Sequence, residues 1–70
     1  MLVLSYKVAD YTISIFQTKI GYSYKIKTKI HNKIYTVVES YTYANDFNLC
    51  KQRADAQLEI LMNMKSMLNR

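Results

Sequence analysis

The chain has 70 residues and a formal net charge of +5, from 10 Lys and Arg against 5 Asp and Glu. A chain this short makes one domain, 1–70, and buries only about 60% of its unfolded surface. Its single cysteine and single histidine, Cys50 and His31, exclude an internal disulfide and a Cys/His metal cluster, which leaves oligomerisation as the means of reinforcing a small core.

A lone cysteine suits a reducing compartment, and the expected location is the cytoplasm. Cys50 is expected as a small apolar core residue. The apolar run at Leu2, Val3 and Leu4 stops at Ser5, too short for a signal peptide or a membrane span. With no proline and only Gly21, no flexible linker is visible. Residues 1–33 carry Lys7, Lys19, Lys25, Lys27, Lys29 and Lys33 against Asp10, whereas charges balance in 34–70. A basic half beside a neutral half suits an anionic partner, although surface lysines also protect sheet edges.

Residues 2–8 alternate, with Leu2, Leu4, Tyr6 and Val8 on one face and Val3, Ser5 and Lys7 on the other, the period of a half-buried strand. A tight turn at Ala9-Asp10 pairs Leu4 with Ile15 and Tyr6 with Ile13. One long strand with a bulge is the competing reading. Gly21 marks the next turn. A two-residue loop at Ile20-Gly21 pairs Ile15 with Ile26, Ile13 with Thr28 and Phe16 with Lys25. One face is then apolar and the other polar, as burial requires.

Residues 22–30 alternate most clearly: Tyr22, Tyr24, Ile26, Thr28 and Ile30 share one face, Ser23, Lys25, Lys27 and Lys29 the other. A three-residue loop at His31-Asn32-Lys33 pairs Ile30 with Ile34, Ile26 with Val38 and Lys25 with Glu39. It sets Tyr35, Val37, Tyr41 and Tyr43 beside the lysines. A two-residue loop would instead put the Glu39 carboxylate on the core face, which is costly.

β-Branched residues and tyrosines crowd the chain up to Tyr43 and then give way to helix formers. The expected fold is α+β: an antiparallel meander of three to four strands over about 2–43, then one long helix over about 45–69, packed on one sheet face. Asn45 is the expected N-cap, with Asp46 in the first turn. Phe47, Cys50, Ala54, Leu58, Leu61 and Leu68 form the stripe that covers the sheet, and Asn48, Gln52, Asp55, Glu59, Asn63 and Ser66 the wet stripe. Leu49, Ala56, Ile60, Met64 and Met67 fall elsewhere and are the expected homodimer interface.

No enzyme signature, metal site or cofactor motif is present. The constellation with a mechanism is the outer sheet face, where Lys7, Lys25, Lys27 and Lys29 lie among Phe16, Tyr35 and Tyr41. Ammonium groups attract phosphates, and rings on a sheet can stack unpaired bases. The order of elements resembles the PC4-like single-strand-binding domains and the three-stranded modules of integrase arm-binding domains. The expected role is a small basic nucleic-acid-binding protein, acting as a homodimer. The alternative is a phage or mobile-element protein-interaction module that inhibits a host defence or transcription factor, and the expected partner besides a second copy is nucleic acid or an acidic protein.

Overall fold

The computed structural model describes residues 1–40 and 42–68, with side chains through Met64. Four strands, β1 (Leu2–Val8), β2 (Tyr11–Thr18), β3 (Gly21–Ile30) and β4 (Lys33–Glu39), form one antiparallel meander. A single helix, α1 (Phe47–Leu68), follows and packs across β2 and β3. The ββββα architecture is the one that the alternation and the change in composition demand. No helix among the described residues is long and apolar enough to cross a membrane.

Residues 2–8 form a separate strand, with Leu4 opposite Ile15 and Tyr6 opposite Ile13 as expected. The Ala9-Asp10 turn places Ala9 at φ 54°, in the left-handed region. The bulge expected in the competing reading lies elsewhere, between Leu2 and Leu4.

In the β2–β3 hairpin the turn is Lys19-Ile20, and Ile13 lies opposite Ile26, Ile15 opposite Tyr24 and Ser14 opposite Lys25. The turn therefore lies one residue before the expected Ile20-Gly21, which shifts the pairing along β3 by two residues. A shift of two preserves every face, so the apolar pattern alone cannot distinguish the two registers. Local hydrogen bonds do: Thr18 Oγ1 accepts from the Ile20 N–H at 3.3 Å and donates to the Gly21 carbonyl at 3.1 Å, closing the turn one residue early.

The β3–β4 hairpin combines both loops considered for it. Ile30 pairs with Lys33 across a two-residue turn, and His31 and Asn32 stand at φ 51° and 67°, as the twist of a hairpin favours. Lys27 lies opposite Thr36, but Ile26 lies opposite Val38 and Lys25 opposite Glu39. Val37 is the inserted residue of a bulge. It corrects the register, so that Val38 faces the core and Glu39 does not. The expected pairs hold on the core side of the bulge and fail on its tip side.

The sheet ends at Glu39 rather than near residue 43. Tyr24 N–H donates to Ser40 Oγ at 3.0 Å, and the backbone of Ala44 returns to exchange two 2.9 Å hydrogen bonds with Tyr22. Gly21 makes that return possible. Its φ is 143°, and a Cβ there would stand 2.6 Å from the Ala44 carbonyl oxygen. The glycine serves a close backbone approach rather than the corner of the turn.

The helix cap is Asp46, not Asn45: Asp46 Oδ1 accepts from the Leu49 N–H at 2.8 Å, and α1 begins at Phe47. Cys50, Ala54 and Leu58 from α1 meet Ile13, Ile15, Tyr24 and Ile26 in the buried core, with Ala44 sealing one end. Phe47 and Leu61 flank it, and the Phe47 ring meets the Tyr22 ring edge-on at 6.2 Å. Burial pushes the Cys50 thiol and the Tyr24 phenol above their ordinary pKa values. Leu68 belongs to the helix, but its side chain lies outside the described ones.

Candidate nucleic-acid interface

Directly opposed residues of an antiparallel pair share a face, so the registers lay out the outer surface row by row. One row runs Ser5, Ser14, Lys25, Glu39 and the next Lys7, Thr12, Lys27, Thr36, with Lys29 beside Ile34 beyond. Lys7, Thr12, Ser14, Lys27, Lys29 and Asp10 line a shallow concavity of about 280 Å³ on this side. Thr12 and Ser14 bring short hydroxyl side chains to its lining, three lysines come from two strands, and Thr28 and Ile34 also border it. The hydroxyls belong to the site as much as the lysines do. The same alternation that reveals the lysines also places Thr12 and Ser14 among them.

Lys25 is engaged differently. Its ammonium lies 3.7 Å from Glu39 Oε1 and 5.7 Å from the centroid of the Phe16 ring. Phe16 is on the outer face as expected, but a lysine already covers it. Tyr35 is not on that face. It lies opposite Thr28, on the helix side, and Ile34 and Thr36 take the outer positions. The Val37 bulge is the reason, because one inserted residue inverts the faces of everything between it and the turn. Tyr41 lies outside the described residues, and Tyr43 lies beyond the last strand.

The helix side is uneven. On the β1 flank of α1, the Tyr6 hydroxyl donates to Asp55 Oδ1 at 2.5 Å and Lys51 Nζ donates to Oδ2 at 2.9 Å. Lys51 also stands 5.3 Å from the Tyr6 ring centroid. Burial opposes the Asp55 charge, but the bonds from Tyr6 and Lys51 outweigh it and hold the carboxyl below its usual pKa. Burial and the adjacent carboxylate push the Tyr6 phenol up. Asp55 thus leaves the expected wet stripe to tie the helix to β1.

On the opposite flank, Arg53 and Gln57 line a concavity of about 250 Å³ with Tyr24, Val38 and Glu39. Ile60 and Met64 lie one and two turns further along and are 50% and 54% exposed. Tyr35, 49% exposed, lies on the same side of the sheet, because α1 covers β2 and β3 and leaves β4 largely bare. Of the other expected interface residues, Ala56 is exposed, Leu49 is half-buried against the protein's own core, and the Met67 side chain lies outside the described ones.

Compared with known proteins, the chain matches no family model, no curated protein and no solved structure. The likeness to single-strand-binding and arm-binding domains therefore rests on the order of elements alone.

Proposed function

We propose that this protein binds nucleic acid through the outer sheet face, with Lys7, Lys27 and Lys29 contacting phosphates. The observation that carries the reading is that the three, from two different strands, line one concavity with Thr12 and Ser14, which Asp10, Thr28 and Ile34 also border. Ammonium groups and hydroxyls are the side chains that most often contact the backbone of a nucleic acid. Lys25 serves in second rank, because Glu39 and Phe16 already hold it. A Lys7, Lys27, Lys29→Glu triple variant should keep its circular dichroism spectrum and lose binding in a gel-shift titration. Undiminished binding by the folded variant would refute the proposal.

The protein acts as a homodimer in this reading. Both sheet edges are unsuited to extension, since β1 is bulged near Leu2 and β4 near Val37, and each carries a lysine. The shelf formed by Ile60, Met64 and the bare side of β4 is an exposed apolar surface suited to dimerisation. Light scattering should report a dimer for the wild type and a monomer for Ile60→Glu. A wild-type monomer at high concentration would remove the self-association. The same shelf favours a second reading, a module that binds a host protein. A stoichiometric protein partner that survives nuclease treatment in a pull-down would favour it over the first.

A further inference from the structure

We infer that the outer face takes the sugar–phosphate backbone of a duplex rather than unpaired bases, a statement that rests on the nucleic-acid reading above. A single-strand site needs rings on which bases can lie. Among the described residues the outer face offers one ring, Phe16, and the Lys25 ammonium stands over it. Tyr6, Tyr11, Tyr22 and Tyr24 pack against the core from the helix side, and the bulge turns Tyr35 to that side too. Among the described strand residues, every ring but Phe16 is on the helix side of the sheet.

What the face does present suits a backbone. Ser5, Thr12 and Ser14 cluster on β1 and β2, with Ser5 and Ser14 hydroxyls 3.4 Å apart, and Thr36 lies across β3 beyond Lys27. Hydroxyls and ammonium groups both bond phosphate oxygens without choosing a base. Lys27 and Lys29, two residues apart on β3, are separated by about 6.8 Å along the strand, and Lys7 stands two strands from Lys27, about 9.6 Å away. A duplex carries a charge per ~1.7 Å of axis, against ~3.4 Å for each strand. The denser charge of a duplex attracts a basic face more strongly than a single strand does.

The β3–β4 hairpin adds a fit of shape. Its pairs Lys29–Ile34 and Ile30–Lys33 run past Tyr11–Thr28, the last pair that β2 makes with β3. A two-stranded ribbon, closed by the His31-Asn32 turn, thus projects beside the lysines. The major groove of B-form DNA, about 12 Å wide, admits such a ribbon, and an unpaired strand has no groove.

The test is a fluorescence anisotropy titration of the full chain against a short mixed-sequence DNA duplex and against each of its strands alone, over a range of salt. The duplex should bind about tenfold more tightly. Its log–log salt slope should be near −2.7, about 0.9 for each of three phosphate contacts. Lys27→Gln should reduce that slope by about 0.9. Equal or tighter binding to single strands would overturn this inference and leave the nucleic-acid reading standing. An unmoved slope in Lys27→Gln would overturn the placement of the duplex on this face. Failure to bind either form at low salt would overturn the nucleic-acid reading itself.

Discussion

The two faces of the sheet are made from the same strands and divide the work of the molecule. Toward α1, Ile13, Ile15 and Ile26 have no exposed surface, and no buried side-chain polar atom among the described residues lacks a partner. Away from it, lysines and short hydroxyls stand in rows that stay open to solvent. Burial of apolar area supplies stability, whereas ammonium groups in water contribute little to it and much to attraction at a distance. One face can thus be altered chemically while the other holds the fold.

The largest effect that tests this division comes from one substitution on each face of β3. Ile26→Ala removes a fully buried side chain and should cost about 3–4 kcal/mol. Total stability in a domain this small is roughly 3–5 kcal/mol, so the variant should be mostly unfolded by circular dichroism at room temperature. Its neighbour Lys27→Gln should shift a urea midpoint by no more than about 0.5 kcal/mol equivalent. A large loss from Lys27→Gln would break the division.

Gly21→Ala tests the edge where the two faces meet. Its Cβ would stand 2.6 Å from the Ala44 carbonyl at a φ of 143°. Nothing there is a flexible side chain, so the backbone must shift, at a cost of about 1–3 kcal/mol in chemical denaturation. An unchanged midpoint would mean that the Tyr22–Ala44 bridge contributes nothing.

A smaller effect concerns the polar anchor on the otherwise apolar side. Asp55→Asn should cost about 1 kcal/mol, the low end for a hydrogen bond to a charged group, because the carboxylate is half exposed and screened. The Asp55 carboxyl is held below its unfolded value, so its contribution is present above pH ~3.9 and is lost as pH falls through the lowered folded value. Tyr6 and Tyr24 are shifted the other way, so their contribution is present below pH ~10 and fades as pH rises further. Thermal melts across pH should therefore decline at both ends, and Asp55→Asn should flatten the acid limb. An acid limb identical to the wild type would show that the anchor does not couple to folding.

Much of the fold is legible in residues because a strand's period of two is a local property. Ile26 and Lys27 adjoin in sequence and face apart wherever the strand pairs, so core and charged faces follow from alternation alone. Cys50, Ala54 and Leu58 are likewise readable from the helical period. The candidate site is legible to the same depth: Lys7, Lys27 and Lys29 fall on one face. Tyr35 is misplaced because its face depends on whether a residue is inserted between it and Val38, and the alternation of its neighbours is silent on that. Asp55 looks solvated because its partner, Tyr6, is 49 residues away.

The order of elements, the sign of each face and the clustering of positive charge on the outer one follow from the residues alone. Those rest on steric periodicity and on the preference of apolar side chains to leave water, which act residue by residue. The register of the two later hairpins, the Val37 bulge that moves Tyr35 to the helix side, and the use of Gly21 to admit Ala44 depend on the folded whole. Each is a choice between arrangements with nearly equal local energies. Contacts between distant segments decide it: a carboxylate kept off the core, a carbonyl given room, a phenol matched to an acid.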